Sequence, residues 1–186
     1  MQKEIDNAIK VLKQGGLILY PTDTVWGIGC DATNHEAVQK IYALKQREES
    51  KSMICLVNDF KMLNQYVEQV PEIVYNIIKY ATNPTTVVYD RPKRVSENLI
   101  AEDNSLAIRV IRDGFSGQLI KKYRKPIVST SANISNQKTP KSFKEISEDI
   151  LKGVDYVVNL QREKNAAKPS SIIKIKGDGT VTVIRK

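Results

Sequence analysis

Three short segments carry side chains whose types and spacing fit chemistry on an anionic substrate. In the first, residues 21–29, Thr22, Asp23 and Thr24 directly follow an apolar stretch. Hydroxyls and a carboxylate just beyond a buried strand lie where open α/β sheets bind ligands. A turn in which these three side chains bond to nearby amides explains the same pattern. The segment alone favours the turn slightly, and Trp26 is predicted to cover the core.

The second segment is Lys45-Gln46-Arg47, which directly follows a predicted helix. Alternate residues of an extended segment point the same way, so Lys45 and Arg47 would face one anion. Arg47 can bind a phosphate or carboxylate through two N–H groups, and Lys45 adds a point charge. The alternative is a helix C-terminus whose cations complement the helix dipole, and an isolated pair favours that alternative.

The third segment, residues 129–135, holds four hydroxyls and one amide side chain, and it follows a predicted strand. Small polar side chains and free backbone amides can hold a phosphate or a ribose. The sequence has neither the Gly-rich phosphate loop with its lysine nor a G-x-S-x-G nucleophile turn. A Ser/Thr-rich turn that caps a helix explains the segment equally well.

Together the three segments describe a cationic cleft that is rich in hydroxyls. His35 is the only histidine, so a catalytic triad and a histidine-based metal site both lack candidates. From Ile120 to Lys144 the chain has seven basic residues and no acidic one. Such a site fits the positioning of phosphates better than covalent catalysis.

The elements that must position these segments follow from hydrophobic periodicity and from turn residues. Predicted helices cover residues 2–14, 35–44, 59–66, 71–81, 114–123 and 143–151. Predicted strands cover residues 17–20, 53–57, 85–89, 106–110, 127–130, 156–159, 171–176 and 180–184. Helices and strands alternate early and strands cluster late, which predicts one α/β domain over residues 1–186 with a mixed sheet. The turn at residues 177–179 predicts a final hairpin.

The composition narrows the classes of protein that the chain can belong to. No apolar run is long enough to cross a bilayer, and no signal peptide is expected at the N-terminus. Cys30 and Cys55 form no C-x-x-C pair and are predicted to be reduced core thiols of a cytoplasmic protein. The net charge of +8 favours an anionic partner such as a nucleotide or a nucleic acid.

The order and spacing of six motifs resemble those of the YrdC-like family over nearly the whole chain. In this sequence the motifs read Pro21-Thr-Asp-Thr-Val-Trp-Gly-Ile-Gly29, Lys45-Gln46-Arg47, Thr82-Asn-Pro-Thr-Thr86, Ala107-Ile-Arg109-Val-Ile111, Ser131-Ala132-Asn133, and Ser170-Ser171-Ile172 with Arg185.

The fifth residue of the motif at 107–111 is Ile111, where a proline is usual, and the family pattern also changes at Trp26, Glu48, Ser52, Asn83 and Asn136. A tyrosine, two prolines and two glycines are usual there. Glu48 places a negative charge beside Arg47, which would weaken phosphate binding or move the loop.

The resemblance implies a twisted open sheet of parallel and antiparallel strands, flanked by helices, and a threonylcarbamoyl-AMP synthase. This enzyme is a nucleotidyltransferase that converts L-threonine, bicarbonate and ATP, assisted by Mg²⁺, into threonylcarbamoyl-AMP and pyrophosphate for the t6A modification of tRNA. No tightly bound cofactor is implied. Product would pass to a downstream threonylcarbamoyl transferase complex, and a basic surface could contact tRNA.

The resemblance also assigns roles to ten residues. Lys45 and Arg47 would be catalytic. The nucleotide would contact Lys45, Arg47, Thr86, Ser131, Asn133 and Arg185. Threonine or its carbamate would contact Thr22, Thr24, Arg109 and Ser170.

Two other functions stay open at this point. One is a non-enzymatic RNA-binding module in tRNA or rRNA maturation, which the basic stretch favours. Aromatic residues make up only 6% of the chain, however, and no basic strand carries the aromatic residues of an RNA-binding platform. The other is a different carbamoyl- or nucleotidyl-transferring enzyme on the same scaffold.

Overall fold

The computed structural model describes residues 1–48, 53–165, 167–175 and 180–186. Its helices in these ranges are α1 (Gln2–Lys13), α2 (His35–Lys45), α3 (Phe60–Tyr66), α4 (Glu72–Tyr80), α5 (Gly114–Tyr123) and α6 (Glu148–Gly153). Its strands there are β1 (Ile18–Pro21), β2 (Trp26–Gly29), β3 (Ile54–Val57), β4 (Thr85–Asp90), β5 (Ser105–Val110), β6 (Ile127–Ser131), β7 (Tyr156–Val157), β8 (Ser171–Ile175) and β9 (Val181–Arg185).

All of these strands join one sheet in the order β7-β1-β2-β6-β3-β5-β4-β8-β9. The pairs β1/β7, β3/β5 and β4/β8 are parallel, and the other neighbours are antiparallel. The predicted mixed sheet is therefore confirmed, and it is open because β7 and β9 are edge strands. One sheet agrees with a single domain over residues 1–186, which stays a prediction.

Helices cover both faces of the sheet, and each face has its own apolar core. In α1, the buried residues Ile5, Ala8, Ile9 and Leu12 recur at helical spacing and pack with α5 on one face. Helices α2 and α6 contribute to the core on the other face. Strand β1 serves both cores, since Ile18 and Tyr20 join the first and Leu19 the second.

Helix α2 delivers the K-x-R segment, and its two ends explain where that segment lies. The Asn34 side chain accepts a hydrogen bond from the Ala37 amide (3.0 Å), so the predicted N-cap is confirmed. The helix ends at Lys45, because Gln46 takes a left-handed conformation (φ 48°). Lys45 and Arg47 are thus separated by a helix end and not by an extended residue.

The predicted secondary structure differs from the structure at two places. Residues predicted as a loop contain β2, whose two glycines weaken the strand signal although β1 and β6 pair on both sides of it. The predicted helix 143–151 is divided into a short 3-10 turn (Phe143–Glu145) and α6, because Ile146 and Ser147 are extended. The predicted turn at 177–179 lies outside the described residues, but β8 and β9 do pair antiparallel.

Candidate active site

A cleft of about 290 Å³ opens where the β1–β2 hairpin loop, the end of β6 and the start of β8 meet. Seven of the ten residues predicted for the site line this cleft, namely Thr22, Thr24, Arg47, Arg109, Ser131, Ser170 and Arg185. The other three contact lining residues: Thr86 bonds to Ser170, and Lys45 and Asn133 bond to the Ser131 carbonyl. The fold therefore brings all ten predicted residues together.

The hairpin loop is held by its own threonines. The Thr22 hydroxyl donates to the Val25 carbonyl (2.7 Å) and accepts from the Thr24 amide (3.1 Å). The Thr22 and Thr24 hydroxyls lie 3.1 Å apart. Because the Thr22 proton goes to Val25, the Thr24 hydroxyl is the donor of that pair and keeps acceptor capacity toward the cleft. The same two threonines therefore form the predicted turn and line the predicted site.

Asp23 bonds to a distant cation and not to a local amide as the turn predicted. Its carboxylate accepts from the Arg109 guanidinium at 2.9 Å, which ties the hairpin loop to β5. Arg109 is 4% exposed, and its Nε finds no hydrogen-bond partner among the described residues. A buried guanidinium with unused donor capacity can accept a carboxylate or phosphate ligand. Only the tertiary structure reveals this role of Asp23.

Ser170 connects two strands at the other wall of the cleft. Its hydroxyl lies 2.9 Å from the buried Thr86 hydroxyl of β4. The Arg185 guanidinium of β9 donates to the Ser170 carbonyl through Nε (3.0 Å) and a terminal nitrogen (2.9 Å). Burial and the positive charge of Arg109 lower the pKa of Arg185. Thr86 and Arg185, predicted to contact the nucleotide, thus form one unit with Ser170, which was predicted to contact threonine.

The two cations of the K-x-R segment occupy different environments. Arg47 is half-buried and lines the cleft, and burial lowers the pKa of its guanidinium. Lys45 is 1% exposed, and its ammonium donates to the carbonyls of Ser131 (2.6 Å) and Asn133 (2.5 Å). Burial lowers the pKa of Lys45 to about 8, and the nearby charge of Arg47 adds to this effect.

Asn133 closes the turn that follows β6. Its side-chain nitrogen donates to the carbonyls of Ile134 (2.9 Å) and Gln137 (3.0 Å). Its side-chain oxygen is buried without a hydrogen-bond partner in the described part of the chain. A turn is present, but it does not cap a helix as predicted, because the next helical residues are Phe143–Glu145. It leaves an acceptor for a ligand donor.

The charges of the cleft favour anions. Arg47, Arg109 and Arg185 line it, and within the described ranges no acidic residue does. Those ranges also hold no group of three or more His, Cys, Asp or Glu side chains that could bind a metal ion.

A second cavity of about 480 Å³ lies beside the cleft and shares Thr22 with it. Asn83, one of the positions that differ from the family pattern, lines this cavity together with Arg112 and Lys164. Neither cation was predicted from the sequence, because Arg112 lies one residue beyond a quoted motif and Lys164 lies outside all of them. Trp26 is 4% exposed and packs on Phe143 with ring centroids 4.9 Å apart, so its predicted place in the core is confirmed.

Of the other departures, Glu48 is exposed, and Ser52 lies outside the described residues. Within the described residues, no helix is long and apolar enough to cross a membrane.

The chain is similar to known proteins in sequence and in fold. The model of the Sua5/YciO/YrdC family, described as "Telomere recombination", matches residues 10–186. A protein of Pseudoalteromonas translucida named threonylcarbamoyl-AMP synthase is 34% identical over 174 residues, which are 92% of each chain.

Two solved structures share the fold. The structure of E. coli YciO superposes with a TM-score of 0.85 at 24% identity and covers 100% of this chain and 90% of that one. The structure of P. abyssi Sua5 complexed with L-threonine superposes with a TM-score of 0.87 at 23% identity. This chain spans 54% of the Sua5 chain, about half of its length. The predicted family and fold are both confirmed, and the chain belongs to the Sua5/YciO/YrdC family.

Proposed function

We propose that the chain is an L-threonylcarbamoyl-AMP synthase, a nucleotidyltransferase that supplies the t6A modification of tRNA. The observation that carries this proposal is the convergence of the ten family residues on one cationic cleft. The name of the relative from Pseudoalteromonas translucida, 34% identical over most of the chain, supports the same activity.

The reaction needs charge neutralisation and alignment more than covalent help from the protein. The amine of threonine forms an N–C bond with bicarbonate, which loses water, or with CO₂, in which case the amine loses a proton, and either route gives a carbamate. A carbamate oxygen then attacks the α-phosphorus of ATP, the bond from that phosphorus to the bridging oxygen breaks, and pyrophosphate leaves. Cationic side chains aimed at the phosphates stabilise the charge that develops. Mg²⁺ would arrive with ATP and assist at the phosphate oxygens.

Different residues of the cleft would bind the nucleotide and the threonine. Arg47 would bind phosphate, and the hydroxyl of Ser131 with the free oxygen of Asn133 would bind the rest of the nucleotide. Arg109, with unused donors, would bind the carboxylate of threonine. The acceptor left on Thr24 fits an N–H or O–H of that substrate.

The unit around Ser170 stands between the two substrates. Thr86 is fully buried and would act through the Ser170 hydroxyl, whereas Arg185 lines the cleft and could reach a phosphate. The activity would lie in the cytoplasm, which agrees with the two free buried cysteines. The labile product would go to a separate threonylcarbamoyl transferase.

A basic RNA-binding surface receives less support from the described contacts. Three lysines of the basic stretch 120–144 pair with acids, in Lys122–Asp6, Lys125–Asp31 and Lys144–Glu163. Direct contact with tRNA stays a secondary part of the proposal.

The test is release of pyrophosphate from Mg-ATP and bicarbonate, with L-threonine compared to L-serine and L-valine. We expect release that depends on threonine, a large loss in Arg47→Met and none in Lys152→Met, which removes an exposed charge that does not line the cleft. A protein that binds RNA with a steep salt dependence but releases no pyrophosphate would reverse the proposal.

A further inference from the structure

Lys45, which was predicted to be catalytic, is enclosed by the turn that follows β6. The side chain starts at the last residue of α2 and is 1% exposed. Its ammonium donates to the carbonyls of Ser131 and Asn133 at 2.6 and 2.5 Å. The Lys45 carbonyl in turn accepts from the Ser135 amide at 2.8 Å. Side chain and main chain of one residue thus bind both ends of residues 131–135.

These bonds set which way the turn presents its polar groups. Two carbonyl oxygens point toward the buried ammonium, and the Ala132 amide donates to the Trp26 carbonyl (3.0 Å). The turn is therefore held between α2 and β2. Ser131 lines the cleft, and the Asn133 side-chain oxygen and the Ser135 hydroxyl are buried in the same turn without hydrogen-bond partners among the described residues.

The charge of Lys45 is compensated by dipoles. None of the ion pairs formed by the described residues includes Lys45. A buried ammonium is costly unless its donors are satisfied, and here two carbonyls satisfy two of them. Lys45 is also not among the residues that line the cleft, whereas Arg47 is.

We propose that Lys45 is a positioning residue that fixes residues 131–135 for the nucleotide, and that Arg47 is the member of the pair that contacts phosphate. The first half concerns the unliganded protein alone, and the second rests on the proposed function. Lysine suits the task because its stem packs in the core while its tip supplies several donors. Arginine at position 47 suits a phosphate because of its planar fork.

The first experiment measures hydrogen exchange of the unliganded protein in Lys45→Met and Arg47→Met. Methionine keeps the length of the side chain and removes its donors, so Lys45→Met removes the ammonium bonds to both carbonyls and leaves the Ser131 carbonyl only its bond from the Asn133 amide. We expect exchange at the amides of residues 132–135 to become about tenfold faster or more in Lys45→Met. Arg47→Met should leave that segment unchanged, and peptides from α1 and α5 should be unchanged in both variants.

The second experiment compares the dissociation constants of ATP and AMP for the same variants. A disordered turn weakens the binding of both nucleotides by a similar factor. Lys45→Met should therefore change the ratio of the ATP to the AMP dissociation constant by less than about threefold. Loss of a contact to the outer phosphates weakens the binding of ATP more than that of AMP, so Arg47→Met should raise the ratio of the ATP to the AMP dissociation constant about tenfold or more.

Unchanged exchange in Lys45→Met, or a loss of affinity for ATP alone, would overturn the positioning role. If Lys45→Met does not fold, Lys45→Gln, which keeps one donor group, is measured in the same way and judged by the same criteria. A protein that fails to make threonylcarbamoyl-AMP would remove the proposed function, yet the exchange result would still decide the role of Lys45.

Discussion

Arg109→Met tests the part of the cleft where the carboxylate of threonine is proposed to bind. Arg109 is 4% exposed, donates to Asp23 at 2.9 Å and has an unpartnered Nε among the described groups. Methionine is apolar and of similar length, so it can fill the same buried space. The variant removes the cation and keeps most of the packing.

The size of the effect follows from the contacts that are lost. A hydrogen bond to a charged group contributes about 1.5 to 3 kcal/mol, and a carboxylate bound by a guanidinium usually receives two of them. Solvent at the open cleft reduces this sum, so we expect a loss of about 3 kcal/mol in threonine binding. At 25 °C this corresponds to a dissociation constant that is about 100-fold larger.

The assay is calorimetric binding of L-threonine, with ATP binding and thermal unfolding measured on the same samples. ATP affinity should change less than about threefold, because the outer phosphates are assigned to Arg47. Asp23→Asn is the matched control, since it removes the ion pair of Arg109 but keeps the guanidinium. Its effect on threonine should stay under about tenfold. If Arg109→Met binds threonine like the wild type and loses ATP instead, the assignment of the two walls is reversed.

Three further predictions concern stability. Gly29→Ala should lower the free energy of unfolding by about 2 kcal/mol and the melting temperature by about 6 °C, since its new Cβ would lie 2.7 Å from Tyr20 Cε1. Burial acts to raise the pKa of Asp31, but hydrogen bonds, first from Lys125, lower it overall. The stabilisation by the Asp31 carboxylate is complete above the unfolded pKa and is lost as the pH falls through the folded pKa. Asp31→Asn should therefore lower the free energy of unfolding by about 2 kcal/mol at neutral pH and make it depend less on pH in acid. Lys45, with its pKa lowered to about 8, binds fewer protons when folded. Stability of the wild type relative to Lys45→Met should therefore rise by about 1.5 kcal/mol between about pH 8 and 9.5 in urea titrations, and a flat difference would contradict the buried charge.

Local patterns were sufficient for most elements because the responsible forces are local. The apolar spacing of α1 and the N-cap Asn34 depend on neighbours within a few residues. Strand β2 was missed because its signal is tertiary: Gly27 and Gly29 have low strand propensity, but neighbouring strands supply the hydrogen bonds. The division of the helix predicted at 143–151 follows from extended residues that no periodicity marks.

The motifs predicted which residues lie at the site, but they did not predict the contacts between these residues. Antiparallel pairing of β2 with β6 places Gly27 opposite Ser131, and this pairing joins segments about a hundred residues apart in sequence. The Thr86–Ser170 bond depends on parallel pairing of β4 with β8. The spacing rule for Lys45 and Arg47 assumed an extended chain, whereas the left-handed turn at Gln46 gives them separate environments.

The distribution of charge explains why net charge was a poor guide to the site. The basic stretch 120–144 lies partly on α5, and Lys122 of this helix and Lys125 just after it pair with acids of other segments. The arginines of the cleft come instead from positions 47, 109 and 185, which no local count would group. Burial lowers the pKa of two of them, Arg47 and Arg185, so the fold holds these cations against a desolvation cost. An anionic ligand that enters the cleft would offset that desolvation cost through its attraction to the arginines. A nucleotide together with a carboxylate substrate supplies the required negative charge.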